Sequence, residues 1–388
     1  MRDPRRSGVA RWAGATASAL AVALVGVGGF WLAGRGGAQG AQAPVEPVPL
    51  AATATVAAGP ELPDVGKIWP QAVHRLPGRL PDGSKIIPYL FLDDSTILIT
   101  SEASFEKADT LWAYDLGSGK TTKIADIPVP RDTVLFPDGF AMGGGKIAWW
   151  TARKERRGER VEIWTVPVTG GEPVVAAAAE PQRDHRQVPV TALTVTGEEV
   201  VWSQGNLGVF RAAAGGEVRK VEGTEGRHLL SWPWVGSPGP MPYGDGTFAE
   251  ARNVETGEVK RAPSASGDAL VACGVRRCVS SADGPSRTGA VQGRVDAQGR
   301  ADGGSRAVPL AMRPHPMARL VRDRFIAGVA DVPGALQPVL QDFDRNIAVS
   351  LAPAMKDSAP LPSVAKDDRL LRYRLDDGFL VVDLQAIP

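Results

Sequence analysis

Three groups of residues have types and spacings that could do chemistry. Residues 117–121, Gly-Ser-Gly-Lys-Thr, read like the end of a phosphate-binding loop, where backbone N–H groups and a lysine would hold a nucleotide. That motif needs a glycine five positions before its second one, but position 114 is tyrosine, and the following TTKIAD reads as a strand rather than a helix. A hairpin turn is the better reading. Trp232, Trp234 and Tyr243 flank or lie in a Pro- and Gly-rich insertion at 236–246, and His185 sits in the polar loop EPQRDHRQ. These four could line a surface for a glycan or peptide, with an irregular buried strand and a solvated loop as the competing readings. Four residues separate Cys273 from Cys278, a spacing that suits the two ends of a tight hairpin and a disulfide across it. Zinc does not suit them, because no second Cys or His pair lies near at metal-site spacing.

The remaining chemistry-bearing residues are scattered. His74, His185, His228 and His315 are isolated, and no HExxH, GxSxG or EF-hand pattern occurs. Catalytic residues, metals and cofactors are therefore not expected. Forty-four basic against 43 acidic side chains leave a net charge of +1, which gives no field to attract nucleic acid. The densest local charge, Arg153-Lys154-Glu155-Arg156-Arg157 with Arg160, reads as a solvated hairpin tip.

The elements that would position these residues repeat. A strand followed by a polar, Gly-containing turn occurs at 111–120 (LWAYDLGSGK) and again as WTVPVTGGE from 164, FRAAAGGEV from 210, ARNVETGEV from 251 and GRVDAQGR from 293. The turn glycines Gly119, Gly171, Gly216, Gly257 and Gly299 are spaced 52, 45, 41 and 42 residues apart. Asn346 and the segment FLVVDL at 379–384 mark two degraded copies. A second strand signal recurs before each unit, as in TILIT (96–100), KIAWW (146–150) and EVVWS (199–203). Trp112, Trp149, Trp150, Trp164 and Trp202 fall on these strands and read as core. Several strands in every 40 to 50 residues indicate an all-β, seven-bladed β-propeller over 67–388, with six or eight blades as the alternatives. The last copy lacks a fourth strand, and AVHRL at 72–76 can supply it, closing the ring without an exposed edge.

On these repeats the chain resembles the TolB-like or WD40-like propellers exported by actinobacteria. Leu80-Pro81-Asp82-Gly83 and Phe136-Pro137-Asp138-Gly139 are similar to the S-P-D-G turn of that group. The resemblance implies a binding or scaffolding role and carries over no catalytic residue. Ala113, Asp115, Gly119 and Lys120 partly resemble quinoprotein dehydrogenase repeats, but the docking Trp of that family is missing, and Lys123 stands near its place.

Ahead of the repeats, Arg2, Arg5, Arg6 and Arg11 precede 23 uncharged residues, 12–34, long enough to cross a bilayer and oriented by the arginines with the body outside. Ala41-Gln42-Ala43 has the form of a signal-peptidase site, so a retained anchor and a cleaved signal both remain open. Residues 35–66 read as a flexible Ala/Pro-rich tether. The sequence thus predicts a monomeric extracytoplasmic module, anchored to the cell membrane or secreted. Its partner would be a protein, peptide or glycan of the envelope, and a propeller enzyme acting on sugars or peptides is the alternative.

Overall fold

The computed structural model describes residues 62–388 except 105, 106, 157, 180–189, 238–247, 264–267, 285, 315–318, 357, 358 and 366. The expected membrane segment, most of the tether, His185, Tyr243 and His315 lie outside the described residues. No helix among the described residues is long and apolar enough to cross a membrane.

Seven four-stranded antiparallel sheets account for the described body. Blade one runs through Lys85–Phe91, Thr96–Ser104, Lys107–Asp115 and Thr121–Asp126. Blade seven takes Ser363–Val364, Leu370–Arg374 and Gly378–Asp383 from the end of the chain and Val73–Pro77 from its beginning. The closing strand pairs in register from Val73 opposite Val382 to Pro77 opposite Gly378, so the expected closure and blade number both hold.

Each blade is too thin to bury its apolar residues alone, so alternating side chains pack against the neighbouring blade. Seven separate apolar clusters result, one at each junction of the ring. Trp149 and Trp202 are fully buried in two of them, Trp150 and Trp164 nearly so, and Trp112 is half-buried with its indole N–H donating to Ser101 Oγ at 3.0 Å. Among the described residues the junction between blades four and five is the thinnest, with Leu230, Phe248 and Ala251 as its buried apolar members.

The repeated turn lies between the third and fourth strands, as its spacing predicts. Gly119, Gly171, Gly257, Gly299 and Asn346 all have positive φ. In blade three the left-handed residue is Gly215, at φ 69°, and not Gly216. In four blades the third strand ends on Asp115, Asn253, Asp342 or Asp383, whose side chain accepts backbone N–H groups of its own turn. The hydrogen bond from the Ser118 hydroxyl, followed by that from its N–H, holds the Asp115 carboxyl below its ordinary range. A depressed carboxyl contributes stability that is complete above its unfolded value of about 4 and is lost as pH falls through the lower folded one. Urea unfolding across a pH series should therefore show Asp115→Ala with a lower midpoint at neutral pH and a flatter acid limb than the wild type.

Of the two P-D-G segments, only 80–83 is a turn, with Gly83 at φ 90° and Asp82 accepting from Ser84 N at 2.8 Å. The other lies inside the irregular first strand of blade two, Thr133–Gly143, where a Cβ on Gly139 would stand 2.7 Å from the Trp150 indole nitrogen. Residues 62–66 of the predicted tether already belong to the body. Ser350 N donates to Pro63 O at 2.8 Å, Asp64 bridges the outer strand of blade six, and Val65 is buried beside Trp69.

Cys273 and Cys278 are register partners across the first hairpin of blade five, both buried, and their sulfurs are bonded. A thiol assay on native protein should find neither thiol free. Reduction should lower thermal stability by less than the roughly 3 kcal/mol of a 15-residue loop, since the closed loop here is shorter.

Candidate functional site

In a four-stranded meander the turns after strands one and three share one face of the ring, and the turn after strand two lies on the other. The first strands of neighbouring blades lie side by side around the central channel. At the face of the one–two turns, four blades contribute to a cavity of about 230 Å³. Blade three supplies its first strand, Ala192–Thr196, and blade four its first strand, His228–Ser231, with the following Trp232. Blade six supplies Arg319, and blade seven supplies Asp367 and Asp368 from the turn after Ser363–Val364.

Arg319 spans this mouth. Its guanidinium donates to Leu230 O of blade four at 3.5 Å, and to Ala365 O at 3.4 Å and Asp368 Oδ1 at 2.5 Å in blade seven. Its charge is thereby matched by Asp368. Asp367 accepts from Arg369 N at 3.1 Å through Oδ1, and its carboxylate faces the space of the channel itself. That space is open to water yet enclosed by protein. Desolvation by the surrounding protein, followed by the Asp368 charge, raises the Asp367 carboxyl above its ordinary range.

The structure separates the predicted site residues. Trp232 lines the cavity and packs with Leu229 and Val235 at the junction of blades three and four, with the Arg211 guanidinium 5.6 Å from its ring centroid. Trp234 points the other way, to the junction with blade five, and lies under Lys260 Nζ at 5.4 Å. Two residues spaced by two on one strand would share a face, but Trp232 lies in the turn after His228–Ser231 and Trp234 opens the next strand, Trp234–Gly236, so the hairpin turn separates them. The two tryptophans therefore do not form one surface, and residues 238–246 of the insertion lie outside the described residues. Sequence reasoning missed Arg319, Asp367 and Asp368. Their only prior signal was position, since irregular one–two connections of late blades point into the channel.

The phosphate-loop resemblance also resolves. Ser118 N and Oγ donate to Asp115 Oδ1 at 2.6 and 2.7 Å, and Gly119 N donates to Asp115 O at 2.9 Å. A carboxylate thus occupies the place an anion would need. Two arginines of the basic hairpin of blade two are paired within it, Arg153 with Glu162 at 3.0 Å and Arg160 with Glu155 at 2.6 Å. His228 is buried with Nδ1 3.0 Å from Thr191 Oγ1, and His74 belongs to the closing strand, where burial lowers its pKa. No group of three or more His, Cys, Asp or Glu side chains that could hold a metal occurs among the described residues.

No protein-family model matches the sequence, and no characterised protein matches it. Similar solved structures include an oligogalacturonate lyase from Vibrio parahaemolyticus, 11% identical over 81% of this chain and 91% of that one, with a TM-score of 0.35. BamB from Moraxella catarrhalis is 12% identical over 77% and 85%, at 0.39, and TolB from Acinetobacter baumannii 10% identical over 73% and 64%, at 0.31. At this identity and these scores the likenesses do not discriminate between a binding protein and an enzyme. What the chain is rests on its own seven sheets, a closed β-propeller with a polar cavity at one mouth of its channel.

Proposed function

We propose that this protein is a monomeric, non-catalytic binding or scaffold module of the cell envelope, and that its ligand or protein partner docks at the channel mouth bearing Trp232, Arg319 and Asp367. The observation that carries this reading is the convergence of four blades on one preformed cavity, with an aromatic wall and a few fixed polar groups. The 23 uncharged residues at 12–34, behind four arginines, support a membrane anchor with the propeller outside, and Ala41-Gln42-Ala43 supports secretion after cleavage as the alternative.

A hydrolase or lyase acting on sugars or peptides is the second reading, and Asp367 is the residue that favours it. A carboxyl held above its ordinary range inside a cavity has the property required of a general acid. The two readings separate experimentally. A photo-crosslinking amino acid at position 232 of the full-length protein should capture a defined envelope partner, while the same group at Lys123, on the outer strand of blade one, should not. Equal capture at both positions, or none at 232, would overturn the docking site. Turnover of a sugar or peptide that disappears in Asp367→Asn would establish the enzyme instead.

A further inference from the structure

We propose that the channel-mouth cavity receives one lysine side chain of a partner protein, with its ammonium group paired to Asp367 and its methylene stem beside Trp232. The inference rests on the docking site proposed above and names the group that this site recognises.

Charge sets the sign of the ligand. Among the described residues lining the cavity, Arg319 contributes one positive charge, and Asp367 and Asp368 contribute two negative ones, leaving a net −1. Arg319 is already engaged by Asp368 and by two carbonyl oxygens, so the uncompensated charge is that of Asp367. Desolvation and the Asp368 charge raise the Asp367 carboxyl although the Arg319 charge opposes them, and no ion pair is formed by Asp367 among the described residues.

Size and geometry narrow the class. Pockets for drug-sized ligands run to about 300–1,000 Å³, and this one, at about 230 Å³, suits a single side chain rather than an oligosaccharide. The Asp367 carboxylate is already engaged by the backbone N–H groups of Arg369 and Leu370, which leaves it no free pair of oxygens for a ligand. A guanidinium makes its strongest contact through two parallel hydrogen bonds to both carboxylate oxygens, whereas an ammonium is a compact point charge that one oxygen can hold. Lysine is thereby preferred over arginine. Trp232, which is half-buried and lines the same cavity, offers apolar surface for the stem.

Isothermal titration of the full-length protein with end-blocked Gly-Gly-Lys-Gly-Gly tests this directly. The expected result is binding at one site per chain that weakens with added salt and is displaced by 1,5-diaminopentane. Binding should be weaker for the Arg peptide and absent for the Nε-acetyl-lysine peptide. Asp367→Asn should weaken it by about tenfold or more, the range of a lost charge-assisted hydrogen bond. Circular dichroism would check the fold of the variant, and the displacement and acetylation arms use wild-type protein only. Equal affinity for the acetylated peptide, an unchanged dissociation constant in Asp367→Asn, or no binding by any peptide would overturn the proposal. If a partner crosslinks at position 232 and its capture is unaffected by Asp367→Asn, the lysine assignment fails and the docking site stands; no crosslinking at 232 in protein that keeps Asp367 removes both.

Discussion

Replacing Arg294 with methionine should lower the unfolding free energy by about 1–3 kcal/mol or more, a sizeable share of the roughly 5–15 kcal/mol that holds a domain folded. Arg294 is fully buried at the junction of blades four and five, the one with the fewest buried apolar residues among those described. Its guanidinium donates to Gly274 O at 2.9 Å, Ala249 O at 3.3 Å and Phe248 O at 2.7 Å. Burial pulls its pKa down to about 10, so it still carries its charge at neutral pH. Methionine would fill much of the volume but would leave carbonyl oxygens without donors, and an unsatisfied buried polar group costs about 1–3 kcal/mol. Arg294→Lys should recover only part of the loss, because an ammonium cannot reproduce the planar fork that reaches both blades. Urea unfolding of the full-length protein would measure both. A Met variant within about 1 kcal/mol of the wild type, the usual scale for a mutation, would show that the guanidinium does not hold this junction.

Gly378→Val should open the ring. Gly378 stands opposite Pro77 at the end of the closing strand, and a Cβ there would lie 2.1 Å from Leu76 O. The obstruction is backbone, so no side-chain rotation relieves it. The strand Val73–Pro77 would have to separate from Gly378–Asp383, baring a sheet edge and the cluster around Val381 and Phe379. A loss of several kcal/mol follows, of the size seen when a packed core is forced apart. Limited proteolysis should cut the variant between about residues 62 and 84 well before the wild type, and light scattering should show association through the freed edge. Wild-type protease resistance and thermal midpoint in Gly378→Val would show that the terminal strand does not close the propeller.

The ring itself was legible in the sequence because strand and turn chemistry is local. Glycines near a 45-residue period mark positions that require a left-handed backbone, and five such turns with their flanking strands predict blades whatever the blades pack against. The closing strand was legible for a related reason, since a last blade short of one strand leaves an edge that AVHRL can cover. One more local signal was present and overlooked: the Asp or Asn ending the third strand in four blades, whose side chain ties off the turn behind it.

The site is another matter, because it is assembled from residues with no common spacing. Trp232 and Trp234 adjoin in sequence and read as one aromatic surface, yet the hairpin turn between the first two strands of blade four sends them to different junctions. Arg319, Asp367 and Trp232 come from three blades and meet only because the ring brings the one–two turns around a single axis. The same separation explains Arg294, an unremarkable residue after a strand, whose three carbonyl partners lie up to 46 positions away. The sequence by itself determined the repeat and how the ring closes and favoured seven blades over six or eight, through backbone preferences that each act over a few residues. Only the tertiary structure decided which charges share the channel mouth and which buried arginine bolts the thinnest junction, because both depend on curvature accumulated over the whole ring.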